Sequence, residues 1–199
     1  MGRKSLALAR KTQILDAFEE CIYEYGLEGS TLQRISEAAG VQLSMIPHYF
    51  GNREGMVNAM ITRFIDTYQR DFEAMLKRYP PQLRLPELIE LYFGEAYSHY
   101  RPKDAIIITE LMGLAERDPT VKQQLREMFQ LYEDIFCREV QQAYPTASTE
   151  SCQKAAHIII ALWYGNATFL WLGFDQAKRV WAREVAMMIL GRLDQHQGE

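Results

Sequence analysis

The fold is decided by the stretch Thr31-Leu-Gln-Arg-Ile-Ser-Glu-Ala-Ala-Gly-Val-Gln-Leu-Ser-Met-Ile-Pro-His-Tyr-Phe50, which predicts two short helices joined by a tight turn. Thr31 can cap the first helix, because its hydroxyl accepts a backbone N–H that has no partner within the first turn. Gly40 supplies the chain reversal, since a residue without Cβ adopts the left-handed conformation at low cost. The apolar residues at helical spacing in the first helix are Leu32, Ile35 and Ala39.

The second helix of this stretch is predicted to hold an outward-facing surface. Val41 and Ile46 are expected to turn inward, against the first helix. The residues expected to face outward are Gln42, Leu43, Ser44, Met45 and His48. A short helix held out in this way is the element with which a helix-turn-helix protein enters the major groove of DNA. The stretch therefore predicts a DNA-reading module.

Two flanking segments resemble the tetracycline-repressor (TetR/AcrR) family. Residues 11–26 are similar to the first helix of that family, and His48-Tyr-Phe-Gly-Asn-Arg-Glu-Gly55 is similar to its histidine-tyrosine-phenylalanine signature followed by a basic residue. The match runs from about residue 10 to residue 60. The resemblance implies an all-α, nine-helix protein with two domains. Residues 1–52 would form an N-terminal arm and a helix-turn-helix domain, and residues 53–199 an effector-binding and dimerisation domain.

The resemblance also implies a set of residues that contact double-stranded DNA at a pseudo-palindromic operator. A two-fold homodimer presents two recognition helices about one helical turn apart, which suits two half-sites. The predicted DNA-binding residues are Arg3, Lys4, Thr31, Gln33, Gln42, Leu43, Ser44, Met45, His48, Tyr49 and Arg53. For Tyr49 core packing is an equal alternative, and for Arg53 the alternative is a solvated charge at the start of the fourth helix.

The chain departs from the family pattern within the recognition helix. Gln42 is a weaker cap than Ser or Thr, and Leu43 stands where the family often has lysine. Pro47 replaces a frequent tyrosine, and proline has no N–H and costs about 3 kcal/mol in a helix interior. In a first helical turn that N–H has no partner anyway. We therefore expect the recognition helix to begin late, at Ser44, or to be locally distorted.

Charge and composition agree only in part with a DNA-binding protein. The chain of 199 residues has a formal net charge of −4, and its first 55 residues are not basic overall. Four positive charges (Arg3, Lys4, Arg10 and Lys11) precede any acidic residue. Such an arm can contact phosphate and release counterions, or it can be a solvated terminus.

Several classes of protein are disfavoured by the same sequence. The three cysteines are widely spaced, so neither a disulfide framework nor a metal site is predicted. No nucleophile–base set or glycine-rich phosphate loop indicates an enzyme, and no cofactor is expected. The uncharged run 155–174 contains His157, Asn166 and two glycines, and it is interpreted as a buried helix and not as a membrane span. A cytoplasmic protein is expected, because no apolar signal segment opens the chain.

Helical periodicity continues to the end of the chain. Asn52 is a plausible cap for the fourth helix, and Pro86 is predicted to be the first residue of the fifth. Asp118 and Asp175 are candidate caps for the seventh and ninth helices, and Ser148 or Thr149 is expected to open the eighth. No segment of useful length has strand periodicity.

The C-terminal part is predicted to sense a small molecule and to dimerise. Polar residues that interrupt apolar, aromatic faces mark the candidate effector pocket, which is Phe64, Tyr68, Tyr92, Tyr97, His99, Glu110, Trp163 and Asn166. The candidate dimer interface is His157, Ile160, Trp171, Trp181 and Met188. Residues 115–119 and 162–172 resemble the choline-responsive repressor branch, and that resemblance implies an aromatic site for a quaternary ammonium through cation–π attraction.

Two functions follow from these patterns. The first is a dimeric transcriptional regulator, most simply a repressor, which a small-molecule effector releases from its operator. The second is a dimeric ligand- or protein-binding module with weakened or lost sequence-specific DNA binding. The second interpretation draws on the acidic balance, Leu43 and Pro47. Because Leu43 and Met45 donate no hydrogen bonds but can contact thymine methyls, base reading is expected to be weak or biased toward thymine.

Overall fold

A computed structural model describes residues 3–94, 102–175 and 177–193. Within these ranges all regular structure is helical, so the predicted all-α fold is confirmed. The described residues form nine helices, which are α1 (Arg3–Gly29), α2 (Leu32–Ala38), α3 (Met45–Phe50), α4 (Arg53–Arg78), α5 (Pro81–Phe93), α6 (Pro102–Ala115), α7 (Pro119–Ala143), α8 (Thr149–Trp171) and α9 (Lys178–Gly191).

The contacts divide the chain into two compact units. Unit 1 comprises Met1–Tyr68 with Pro102–Leu125, and unit 2 comprises Gln69–Arg101 with Arg126–Glu199, in each case for the described residues. The boundaries between the units fall inside α4 and inside α7. The predicted functional division after residue 52 stays a prediction, whereas compactness groups α6 and the first part of α4 with the helix-turn-helix.

The core of unit 1 is built around the apolar face of α1. Its fully buried side chains come from α1, α2, α3, α4, α6 and the start of α7, and include Ile14, Phe18, Ile22, Ile35, Ile46, Met56, Met60, Ile61, Ile107, Leu111 and Val121. An apolar side chain of this size contributes about 1.5–3 kcal/mol when it is fully buried. Tyr25, on α1, does not join this core. It is exposed, and the Arg34 guanidinium lies over its ring at 4.6 Å.

The first helix is interrupted where the sequence predicts its end. Gly26 adopts φ 70° and ψ 170°, a conformation that glycine adopts at low cost. One more turn of helix follows, to Gly29. At the other end the helix extends back to Arg3, so the predicted arm belongs to α1 in this structure.

The core of unit 2 combines faces of α5, α7, α8 and α9. Its buried residues include Leu88, Phe93, Met128, Phe136, Val140, Ile159, Trp163 and Ala186. The predicted caps of the long helices are present. The Asp118 carboxylate accepts the N–H groups of Thr120 and Val121, at 2.9 and 3.2 Å. The Ser148 hydroxyl accepts the N–H of Ser151 at 3.1 Å.

The predicted start of the fifth helix is wrong. Pro81, and not Pro86, occupies the first turn of α5, so Pro86 lies inside the helix. A proline there offers no N–H to the preceding turn. The buried face of α5 offsets that loss, and the Arg84 guanidinium fastens the start of the helix by donating to the carbonyls of Leu76 and Tyr79, both at 3.1 Å.

Candidate DNA-binding site

The turn between α2 and α3 has the predicted geometry. The Thr31 hydroxyl accepts the N–H of Arg34 at 3.2 Å and caps α2. Gly40 adopts a left-handed conformation with φ 59°, and no other atom lies near the position of an added Cβ. The Val41 N–H then donates to the Ser36 carbonyl at 3.0 Å, which closes the end of α2. The chain therefore reverses immediately before the recognition helix α3.

The recognition helix begins late, as Pro47 predicts. Met45 is its first residue, and Ser44 precedes it without making a side-chain cap bond. The Met45 N–H donates to the Gln42 carbonyl at 2.9 Å, so residues 42–45 form a tight turn. Pro47 is the third residue of α3, where the missing N–H would have no helical partner. The helix is short but continuous through the proline.

Burial of one face of α3 exposes the other. Ile46 is 1% exposed and fixes the helix in the core of unit 1, whereas Leu43 is 49% exposed. Gln42, Ser44 and His48 are also exposed, and Met45 and Val41 are half-buried. The structure thus brings together the outward-facing residues that the sequence predicts for this helix.

The remaining predicted residues of the reading head are distributed around it. Gln33 is exposed and donates to the Glu37 carboxylate at 3.0 Å. His48 packs edge to face on Tyr49, with ring centroids 5.2 Å apart, and Tyr49 is half-buried. The backbone of Arg3 and Lys4 is helical, and their side chains lie outside the described atoms.

Arg53 has partners within unit 1 that the sequence does not predict. Its guanidinium donates to the Ser30 carbonyl at 2.5 Å and also to the Leu27 carbonyl. The side chain is half-buried, it lies 5.9 Å from the centre of the Phe18 ring, and desolvation lowers the pKa of the guanidinium. These contacts join the start of α4 to the end of α1. Arg53 thus acts as a structural brace in this arrangement, and its predicted contact with phosphate stays a prediction.

Two residues of α1 support the reading head and were absent from the predicted set. Gln13 donates to the Ala39 carbonyl at 2.6 Å and so fixes the end of α2. Lys11 is exposed, and its Nζ lies 5.9 Å from the centre of the Phe50 ring, beside α3. The sequence marked Lys11 only as part of a basic arm. Its location next to the recognition helix required the packing of α1 against α3.

Glu110 requires a correction. Its carboxylate accepts the N–H of Leu27 at 2.8 Å, immediately after the interruption of α1 at Gly26. That backbone N–H has lost its helical partner because of the interruption, and Glu110 of α6 replaces it. Glu110 is therefore occupied inside unit 1 and does not act as a free polar group in an effector pocket.

The other candidate effector residues have mixed environments. In unit 2, the Tyr92 ring lies 4.8 Å from the Trp163 ring and 6.0 Å from the Phe136 ring, and desolvation raises the pKa of Tyr92 to about 12. Asn166 is half-buried on α8. In unit 1, Phe64 is buried and Tyr68 half-buried. Tyr97 and His99 lie outside the described residues.

The outer face of α9 is apolar, and none of the described residues covers it. The buried residues of this helix are four positions apart and two of the three are alanines: Ala182, Ala186 and Leu190. Larger apolar side chains face outward. Trp181 is 61% exposed and Met188 is 64% exposed. Lys178 lies over the rings of Phe174 and Trp181, at 4.9 and 6.0 Å. Exposed apolar faces of this kind mark interaction surfaces.

The predicted interface residues of α8 do not all lie on such a face. Ile160 is 3% exposed and belongs to the core of unit 2, so its assignment to a dimer interface is wrong. His157 is exposed, and its Nδ1 lies 2.8 Å from a carboxylate oxygen of Glu133 on α7. The side chain of Trp171 lies outside the described atoms.

Two further properties concern the described residues as a whole. No group of three or more His, Cys, Asp or Glu side chains is placed there so that it could hold a metal ion. None of the helices in the same ranges is both long enough and apolar enough to cross a membrane.

Comparison with known proteins places the helix-turn-helix in a known family. Residues 14–60 match the family described as bacterial regulatory proteins, tetR family. The HTH-type transcriptional regulator BetI of Burkholderia thailandensis is 26% identical over 177 residues, which span 84% of this chain and 86% of that protein. BetI of Burkholderia lata is 25% identical over 176 residues, with 84% and 87% covered.

Solved structures share the fold over nearly the whole chain. A TetR transcription regulator from Haloarcula marismortui aligns with a TM-score of 0.79 at 13% identity, over 92% of this chain and 97% of that one. A transcriptional regulator from Rhodococcus sp. aligns with a TM-score of 0.72 at 16% identity, over 94% and 96%. Together with the geometry of α2 and α3, these findings show that residues 14–60 form a helix-turn-helix of the tetR family, and that the chain as a whole is similar to TetR-type transcriptional regulators in sequence and fold.

Proposed function

We propose that the protein is a homodimeric repressor, which binds a pseudo-palindromic double-stranded operator and is released by a small-molecule effector. The observation that carries the proposal is the geometry of α3. Ile46 anchors the helix in the core, and the exposed residues beside it face away from the core, as the residues of a helix that enters a major groove do. Proteins of this family are DNA-binding transcription factors, so the chain is not an enzyme. We place it in the cytoplasm, with its DNA.

The homodimer is supported by the outward face of α9. This helix buries Ala182 and Ala186 but exposes the larger side chains of Trp181 and Met188. In an isolated protomer, the larger apolar area of the helix would therefore face water. A second copy of the same face would cover it, because a two-fold interface is self-complementary. Two copies would also supply the two recognition helices that a pseudo-palindromic operator requires.

An effector site in unit 2 is supported by its aromatic side chains. Tyr92 and Trp163 form an aromatic pair at 4.8 Å, and Asn166 adds a half-buried polar group on the same helix as Trp163. Apolar sites with few polar groups are typical of small-molecule pockets. Aromatic faces also attract quaternary ammonium groups, which makes choline the first effector to test. An effector shifts the protein away from DNA only by its differential affinity for the two forms.

The experiment is fluorescence anisotropy of the purified protein with labelled DNA from its own upstream region, with scrambled DNA of equal length alongside, over a salt series. A regulator binds the upstream DNA more tightly than the scramble, and its affinity falls steeply with salt because phosphate contacts release counterions. Equal and weak binding to both DNAs contradicts the proposal and favours a ligand- or protein-binding module. Addition of choline to the preformed complex then tests release.

A further inference from the structure

The segment that faces DNA carries no formal charge at neutral pH. We define the reading segment as residues 38–52, which include no Asp, Glu, Lys or Arg. The arginines that flank it are directed elsewhere. Arg34 donates to the Gly29 carbonyl at 2.6 Å and covers the Tyr25 ring, and Arg53 donates to Leu27 and Ser30. Among the described residues, Lys11 places its positive charge next to α3, beside the ring of Phe50.

The exposed surface of the reading segment is instead apolar with a few neutral polar groups. Leu43 is 49% exposed, Pro47 is exposed and Met45 is half-buried. Gln42 and Ser44 are exposed beside them, and the Ser44 hydroxyl is not used to cap α3. Because these side chains are exposed, none of the described residues of unit 1 covers the surface. Ile46 lies on the opposite, buried face of α3.

This composition restricts which base pairs the segment can distinguish. Guanine is read most often by Arg or Lys, which donate to its O6 and N7 atoms in the major groove. The reading segment lacks both residue types. A glutamine carboxamide matches the N6 and N7 atoms of adenine, and an apolar side chain matches the 5-methyl group of thymine. The groups that the segment does present, Gln42 and Leu43, are therefore those that read A·T pairs.

We propose that the reading segment recognises an A·T-rich half-site, in which Leu43 packs on the 5-methyl group of a thymine and the Gln42 carboxamide contacts an adjacent adenine. Met45 and Pro47 extend the apolar surface for a second methyl. Lys11 holds the neighbouring phosphate and adds no sequence information. The inference rests on the proposed function, because it specifies the DNA that the same site selects.

The test begins with selection of binding sites from random DNA by the full-length protein. Each thymine in one half-site of the selected DNA is then replaced by deoxyuridine, which removes only the 5-methyl group and keeps the base-pairing edge. Loss of one buried methyl is expected to weaken binding about four-fold, from about 0.8 kcal/mol per buried CH₂. The replacement is expected to matter at one or two thymines and to have no effect at the others.

Leu43→Ala identifies the side chain that makes the contact. In this variant the deoxyuridine effect is expected to vanish at one thymine and to persist elsewhere. Leu83→Ala, which truncates another exposed leucine in α5, leaves the effect unchanged and serves as the matched control. Because Leu43 is exposed, its truncation removes little core packing, and circular dichroism verifies that both variants are folded.

The outcomes separate this inference from the proposed function. Selection of a G·C-rich half-site, or a change below about 1.5-fold at every thymine, overturns the inference while the protein remains a sequence-specific regulator. Failure to enrich any sequence overturns both. A methyl effect that survives Leu43→Ala at every position also overturns the inference, because the contact would then belong to another residue.

Discussion

Replacement of Arg53 by alanine distinguishes a structural brace from a phosphate ligand. The guanidinium donates to the carbonyls of Ser30 and Leu27 and lies over the Phe18 ring. Arg53→Ala removes both donors. The Leu27 carbonyl keeps a longer bond from the Ser30 N–H at 3.3 Å, so the variant leaves the Ser30 carbonyl as the more poorly paired group.

The expected loss of stability follows from these two bonds. A hydrogen bond to a charged group contributes about 1.5–3 kcal/mol. The gain is reduced because the half-buried guanidinium is desolvated, which also lowers its pKa. We therefore expect Arg53→Ala to lower the free energy of unfolding by about 2 kcal/mol. The phosphate contacts with DNA should be unchanged.

Two assays check this expectation. Urea denaturation measures the free energy of unfolding, with Arg126→Ala, which truncates an exposed arginine of α7, as the control. Anisotropy over a salt series measures the slope of affinity against salt under conditions where the variant is folded. A phosphate ligand contributes about 0.9 to that slope. Unchanged stability together with a slope reduced by about 1 would refute the structural interpretation of Arg53.

Three further predictions follow from other contacts. A Cβ on Gly55 would lie 2.0 Å from the Phe50 carbonyl oxygen, so Gly55→Ala should lower the free energy of unfolding by about 1–3 kcal/mol in urea denaturation. A Cβ on Gly113 would have no neighbouring atom, so Gly113→Ala should raise the free energy of unfolding by about 0.5–1 kcal/mol. Glu139 is 1% exposed, and burial raises the pKa of its carboxyl group above the ordinary value of 4.5. The contribution of this group to the free energy of unfolding is therefore fully present below pH 4.5 and is lost as the pH rises through the pKa of the folded state. Glu139→Gln should therefore stabilise the protein at pH 7 and lose that advantage near pH 4, and an advantage that grows toward pH 4 would contradict this. Trp181→Arg places a charge on the apolar face of α9, so it should lower the mass in light scattering from that of the proposed dimer to that of a monomer. A dimer mass that is unchanged by the substitution would remove that face from the proposed interface.

The sequence predicted those features that depend on local chemistry. Thr31 caps α2 and Gly40 reverses the chain as expected, because a hydroxyl cap and a left-handed glycine require only neighbouring atoms. The late start of α3 also followed from one residue, since Pro47 is tolerated only where its N–H is not needed. Recognition of the family rested on the same local motifs.

The errors concern residues whose role depends on distant parts of the chain. The sequence predicts that Arg53 contacts phosphate and that Glu110 lines an effector pocket, whereas in the structure each side chain satisfies backbone atoms near the end of α1. The Leu27 N–H and the Ser30 carbonyl need side-chain partners because α1 is interrupted at Gly26 and ends soon after it. The sequence does not show which side chains satisfy these backbone groups. The sequence assigns Ile160 to an interface because its run is uncharged and rich in apolar residues on every side, and periodicity cannot tell which face of such a helix is buried.

The start of α5 shows a different limit. A proline is acceptable in the first turn of a helix, so both Pro81 and Pro86 could begin α5. The sequence alone predicts a start at Pro86. The buried residues Leu85, Leu88 and Ile89 outweigh the bond that Pro86 cannot make. Burial over a whole helical face thus decided between two locally similar alternatives.

Hydroxyl-radical footprinting of the protein on its upstream DNA tests the central claim most directly. A dimer that inserts one α3 helix into each of two successive major grooves predicts two protected half-sites related by two-fold symmetry, with centres about 10–10.5 base pairs apart or a multiple of that spacing. The same footprint should disappear when the half-sites are scrambled. Uniform protection, or none, at protein concentrations that saturate the anisotropy signal would contradict the account of α3 as a sequence-reading helix.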